Sequence, residues 1–293
     1  MGASALSALS PMSDIAVISS LRSVADSYDA LLCDAWGVIH NGVDLFPGVA
    51  EALARFRETR GPVIILTNAP RPSSVIPGQL DRIGLSRECW NEIVTSGDAT
   101  RAAIEARLPA PAYKLGPTKD DPLFEGLDID FRPLEEAEFI ICTGMKDDAH
   151  ETPDDYREFL KEAATRRLPM VCANPDIVVN WGGRMIWCAG ALAEIYKDLG
   201  CEVIYGGKPH PPIYDLALNR IESLRGPTER NRILAVGDGL KTDILGANNQ
   251  QLDVIFIAGD GGVHEGARDA AAVSQKLQEA GLKAIGVAEG LKW

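Results

Sequence analysis

The chain has 293 residues, enough for a sizeable buried core in one large domain or two smaller ones. Its 42 acidic residues against 29 basic ones give a net charge of −13, which argues against broad binding to nucleic acid or to an anionic membrane. Hydrophobic residues at 46% and charged residues at 24% are ordinary for a soluble globular protein, and no apolar stretch is long enough to cross a bilayer. A small anionic substrate stays open, because a metal ion and a few local cations can reverse the sign inside a pocket.

Residues 1 to about 14 are small and polar, as in a mobile terminus, and a first helix is expected near Ile15 to Ser27. No basic segment followed by a continuous apolar one stands in the first 30 residues. The six cysteines form no CxxC pair, and four sit in apolar, strand-like runs. Together these features predict a cytoplasmic protein with reduced thiols.

The run Ala30-Leu31-Leu32-Cys33 ends in Asp34 and reads as a buried parallel strand. Pro47-Gly48 introduces an amphipathic helix over Val49 to Thr59, which Gly61 stops. Pro62 to Leu66 is a second apolar strand ending in Thr67-Asn68. Strand, helix, strand in this spacing is a βαβ unit and implies a parallel sheet covered on both faces. The pattern returns late, with a helix over 212–225, a strand Arg232 to Val236 ending in Gly237-Asp238-Gly239, a further helix, and a strand Asp253 to Ala258.

Between these pieces, residues 73–203 are too long for a loop. They carry expected strands at Glu138 to Thr143 and Pro169 to Ala173, and helices at Asp98 to Arg107, Pro153 to Arg166 and Ala191 to Leu199. The expected division is therefore a catalytic core of residues 1–72 and 204–293 with an inserted α/β domain over 73–203.

Ligands of open parallel sheets bind at the carboxyl ends of the strands. Those ends hold Asp34, Thr67-Asn68, and Gly237-Asp238 with Asp243 five residues on, while Lys208 follows Gly206-Gly207 and precedes Pro209. The set is coherent as chemistry. A carboxylate attacks phosphorus and holds the phosphoryl group covalently, and a divalent cation on a carboxylate cluster neutralises the meeting of two anions. Lys208 would add a second cation and restrain the nucleophile, while the Thr67 hydroxyl and Asn68 amide donate to phosphoryl oxygens.

The series Asp34-x-Trp36-Gly37-Val38, Thr67-Asn68, Gly207-Lys208-Pro209 and Gly237-Asp238-Gly239-x-x-x-Asp243 resembles the four motifs of the haloacid dehalogenase (HAD) superfamily. The long insert resembles its C2-type cap. Within it, Ala173-Asn174-Pro175-Asp176 and Gly190-Ala191-Leu192-Ala193 are similar to segments of the NagD-like subfamily IIA. The resemblance implies a Rossmann-like core and a phosphatase of small phosphorylated metabolites, working through an aspartyl-phosphate. It also implies Asp34 as nucleophile, Thr67 and Lys208 at the phosphoryl group, and Asn68 and Asn174 near the substrate. Mg²⁺ would be held by Asp34, the main-chain carbonyl of Trp36, Asp238 and Asp243. Homodimers are common among similar capped proteins.

One position departs from the pattern. Phosphatases of the superfamily carry a second aspartate two residues after the nucleophile, as general acid and base, and here that residue is Trp36. A positioned acid is worth on the order of 10²–10⁴ in rate. Nearby His40 and Asp44 are candidate substitutes. The alternatives are a weakly active or inactive relative that binds a phosphorylated ligand, and a carbon–halogen hydrolase, whose family pattern has an aromatic residue at this place. Asp238 and Asp243 oppose the last, because paired acids repel in a site without a cation. Trp181 and Trp187 could face a substrate ring but are read as packing or dimer-contact residues.

Overall fold

The computed structural model describes residues 15–259, 262 and 269–293. The expected mobile terminus over 1–14 lies outside these residues. Six parallel strands form the larger sheet: β1 (Ala30–Cys33), β2 (Val63–Thr67), β3 (Glu92–Thr95), and, after the second sheet, β10 (Ile233–Gly237), β11 (Asp253–Ile257) and β12 (Gly286–Ala288). Their spatial order is β12-β11-β10-β1-β2-β3. Every residue of β1, β2 and β10 is buried, because helices cover both faces. Leu31, Cys33, Val63, Ile65, Leu234 and Val236 pack on one face against Val49, Ala52, Leu53 and Phe56 of the helix Val49–Thr59. Ala30, Leu32, Ile64, Leu66 and Ile233 meet Ile213, Tyr214, Ala217 and Ile221 of the helix Pro211–Arg225 on the other.

The second sheet is also parallel, in the order β4-β5-β6-β9, from β4 (Ala112–Leu115), β5 (Phe139–Cys142), β6 (Met170–Cys172) and β9 (Val203–Tyr205). Leu160 and Ala163 of Arg157–Thr165 and Leu192, Ala193 and Tyr196 of Ala189–Asp198 cover one face. Ile104 and Leu123 cover the other. A hairpin of β7 (Val178–Trp181) and β8 (Arg184–Trp187) leaves this sheet through Asn174-Pro175-Asp176. Its two-residue turn is Gly182-Gly183, with φ of 55° and 89°. A tight hairpin needs positive φ at both central positions, which glycine adopts without steric cost. The architecture is thus α/β, a Rossmann-like parallel core with an inserted α/β cap.

Two limits differ from the sequence reading. The core sheet runs on through β3, which pairs with β2 from Ile64↔Glu92 to Thr67↔Thr95, so the insert begins after Thr95 rather than at residue 73. The chain re-enters the core only beyond Tyr205, because β9 pairs with β6. β3 is an edge strand with Glu92 at its start and Thr95 at its end, and it lacks the unbroken apolar run that marks β1. The first helix is also shorter than Ile15 to Ser27: only Arg22–Ala25 is helical. Ala16–Ile18 instead lies along β12, with Ile18 N–H donating to Val287 O and Val287 N–H to Ala16 O, both at 2.8 Å. Pairing the open edge of β12 outweighs the weak helical pattern.

All six cysteines are free, five of them buried. Among the described residues no helix is long and apolar enough to cross a membrane.

Candidate active site

The three central core strands end side by side, and each delivers a polar group to the same edge. β1 runs into Asp34, which pairs in turn with β10 through Asp34 N–H to Val236 O at 2.9 Å. β2 ends in Thr67, and β10 runs into Asp238. Asp34, Asp238 and Asp243 are all buried, with one carboxylate oxygen of each within 4.8 Å of the others. Two glycines make this approach possible. A Cβ at Gly37, whose φ is +86°, would lie 2.3 Å from Asp238 Oδ2, and one at Gly237 would lie 2.2 Å from Asp243 Cβ.

Lys208 Nζ donates to Asp34 Oδ1 at 2.5 Å and to Asp243 Oδ1 at 2.7 Å, and its side chain is only 3% exposed. Gly239 N–H holds the second Asp243 oxygen at 3.1 Å. Burial pushes the Asp34 carboxyl well above its ordinary pKa; Asp243 and Asp238 push the same way and Lys208 opposes them. Burial works against the Lys208 ammonium, but Asp243, Asp34 and Asp176 outweigh it and keep the lysine charged. Three carboxylates therefore face one ammonium in a dry site. The oxygen-only donor set and the excess of negative charge fit a hard divalent cation such as Mg²⁺.

Asn68 departs from its expected role. Its Nδ2 donates to Asp176 Oδ1 at 2.7 Å and to Lys208 O at 3.2 Å, while its Oδ1 accepts from Lys208 N–H at 2.7 Å. The amide is consumed in tying the loop after β2 to the lysine loop and to the cap, which leaves neither of its hydrogens to donate to a phosphoryl oxygen. Thr67 Oγ1 accepts a 3.3 Å bond from Ala69 N–H, which leaves its hydroxyl proton to donate. Sequence reasoning missed Asp176 as part of this site. Burial lifts its carboxyl to about 6 against the opposing pull of Lys208 and Asn68. Its neighbour Asn174, two residues earlier on the cap edge, was the available signal.

Two cavities of about 490 and 520 Å³ meet at Trp36, Thr67, Asp176 and Val179. The larger holds Asp34, Lys208, Asp238 and Asp243. The other reaches into the cap between Arg71, Lys119, Asp120, Thr143, Asn174 and the hairpin. Trp181 and Trp187, expected from sequence to pack or to make a dimer contact, both line it. Neither His40 nor Asp44 lines either cavity. His40 Nδ1 accepts from Gly42 N–H at 2.9 Å, and burial lowers its pKa to about 4, so at neutral pH it is an uncharged acceptor rather than an acid. Asp44 is exposed.

Known proteins carry the same plan. A haloacid dehalogenase-like hydrolase family model matches residues 31–130, and a HAD-hydrolase-like model matches residues 205–279. A haloacid dehalogenase-like family hydrolase from Brucella suis 1330 superposes with a TM-score of 0.85 at 40% identity, over 94% of this chain and 99% of that one. The ribonucleotide monophosphatase NagD of Escherichia coli strain K12 is 27% identical over 234 residues, 78% of this chain and 86% of NagD. Chronophin of Rattus norvegicus is 23% identical over 245 residues, 77% of this chain and 75% of chronophin. With the strand-end motifs meeting at one sheet edge and a relative similar along nearly its whole length, the chain belongs to the haloacid dehalogenase-like hydrolases, subfamily IIA.

Proposed function

We propose that this chain is a Mg²⁺-dependent phosphatase of small phosphorylated metabolites, with Asp34 as nucleophile. The observation that carries the reading is the meeting of Asp34, Asp238 and Asp243 around Lys208 at the carboxyl end of the core sheet. An Asp34 oxygen attacks phosphorus and the bond from phosphorus to the ester oxygen breaks, leaving an aspartyl-phosphate. Water then attacks the same phosphorus, the bond to Asp34 breaks, and inorganic phosphate leaves. Lys208 fixes the Asp34 oxygen and neutralises part of the incoming charge, and the Thr67 hydroxyl donates to a phosphoryl oxygen. Asp34, the Trp36 carbonyl, Asp238 and Asp243 would hold Mg²⁺, which supplies positive charge where phosphoryl charge develops. The cavity at Asn174 takes the leaving group. The cytoplasm is the proposed compartment, in keeping with six free thiols, and a homodimer is the proposed state.

The leaving oxygen still needs a proton, and the side chain at position 36 cannot give one. Esters with acidic leaving groups should therefore turn over faster than alkyl esters, by on the order of 10² or more. The test compares p-nitrophenyl phosphate with an alkyl phosphate, with and without Mg²⁺, and uses Asp34→Asn as control. Equal rates on the two esters, or turnover untouched by chelation and by Asp34→Asn, would sink the mechanism. Trp36 also supports a second reading, a weakly active relative that retains a phosphorylated ligand. Binding of metal and inorganic phosphate with no turnover of either ester marks that case. Metal-independent halide release would mark the carbon–halogen alternative, which the buried acid cluster opposes.

A further inference from the structure

The indole at the position of the missing acid makes a specific contact across the molecule. Trp36 Nε1–H donates to the main-chain carbonyl of Asn180, on strand β7 of the cap hairpin, at 2.8 Å. A second bond runs the other way, from Gly182 N–H in the hairpin turn to Asn41 O at 3.0 Å. Between the two bonds, Gly42 passes where no side chain fits. A Cβ there would lie 2.4 Å from Trp181 Cδ1 and 2.6 Å from Trp36 Cζ2. Its φ of +89° also suits glycine. The His40 ring meets Trp36 edge-on, with centroids 5.1 Å apart, a further contact that restrains the indole.

The loop of residues 36–42, which leaves the nucleophile, is therefore clasped to the hairpin by two hydrogen bonds and a pair of indoles. That hairpin also builds a wall of the cap cavity, through Val179, Trp181, Ile186 and Trp187. An aspartate at position 36 would be too short to span to Asn180.

We propose that Trp36 is a positioning residue that ties the cap hairpin to the nucleophile loop and so holds the substrate-facing wall in place. The side chain that in phosphatases of this kind handles a proton here handles geometry instead. The inference rests on the phosphatase reading only where turnover is measured.

Amide hydrogen exchange on the full chain tests the tie directly. Trp36→Phe keeps an aromatic ring but loses the Nε1 donor. A net hydrogen bond in water is worth about a fivefold change in an opening equilibrium. Exchange over residues 178–187 should therefore rise about fivefold, while residues 63–67 of the core sheet stay as in the wild type. With p-nitrophenyl phosphate and Mg²⁺, the same variant should raise KM more than it changes kcat. Wild-type exchange over 178–187 in Trp36→Phe would overturn the proposal. Should that variant fail to fold, Gly42→Ala decides it, since its Cβ would lie 2.6 Å from Trp36 Cζ2 and push the indole off Asn180: faster exchange over 178–187 supports the tie, and no change overturns it. If the wild type cleaves neither ester, the phosphatase reading fails while the exchange result still stands or falls alone.

Discussion

The two parallel sheets of this protein are built alike but finish differently. Core strands β1, β2 and β10 run into Asp34, Thr67 and Asp238, whereas cap strands β4, β5 and β6 run into Gly116-Pro117, Thr143 and Ala173-Asn174. Pro117, Thr143 and Asn174 line the same cavity as Thr67 and Trp36, so both sheets aim their carboxyl ends at one space. The core end concentrates buried charge, part of which is offset by Lys208 and by the Gly239 N–H on Asp243. The residues directly after β4, β5 and β6 are uncharged, and the cap side brings its charges, Lys119, Asp120 and Asp176, from the loops beyond them. Under the proposed mechanism, reaction chemistry falls to the core side and recognition mainly to the cap, and changes on the two sides should differ in size as well as kind.

The largest effect belongs to Lys208. Lys208→Ala leaves Asp34 and Asp243 buried without their ammonium, which should destabilise the fold by about 3–5 kcal/mol in urea unfolding. Activity on p-nitrophenyl phosphate should fall on the order of 10²–10³-fold in the same variant. A folded Lys208→Ala protein with unchanged stability would break the contrast.

A pH dependence on the core side comes next. Buried His40 takes up a proton only near pH 4 in the folded chain, but at about 6.5 once unfolded. The unfolded state binds more protons between those values, so stability is lost as pH falls from 6.5 towards 4. The loss amounts to roughly 3 kcal/mol over the window, and urea unfolding of His40→Asn against the wild type should reveal it as a flatter pH profile.

Asn68 sits at the junction of the two regions. Removing its amide in Asn68→Ala orphans Lys208 N–H and Asp176, at about 1–3 kcal/mol in thermal or urea unfolding. Its effect on KM should exceed that of a surface change, since Asp176 lines both cavities. The smallest effect is expected on the cap side. Asn174→Ala should raise KM only a few-fold, about the worth of one neutral hydrogen bond, and should differ from one phosphate ester to another. A uniform loss of kcat in that variant would place chemistry on the cap and erase the division.

The motifs were legible because each is local. A short apolar run ending in an acid or a hydroxyl reads as a buried strand and its carboxyl end, and Ala30–Cys33, Val63–Thr67 and Ile233–Gly237 all fold as such. The presence of Trp36 in place of an acid was equally plain. Boundaries were harder. β3 and β12 lack the unbroken apolar run of β1, so the expected start of the insert and the expected helix over Ile15 to Ser27 both give way to strand pairings that only the fold reveals.

Sequence by itself determined which groups stand at the strand ends, since apolar runs bury themselves and leave the next polar residue at the edge. Tertiary structure alone decided what those groups touch. Asn68 meets Lys208 across 140 residues of chain, and Trp36 meets Asn180 across 144. Partners that far apart leave no spacing to read. They are chosen when two sheets, each packed on its own core, bring their edges together.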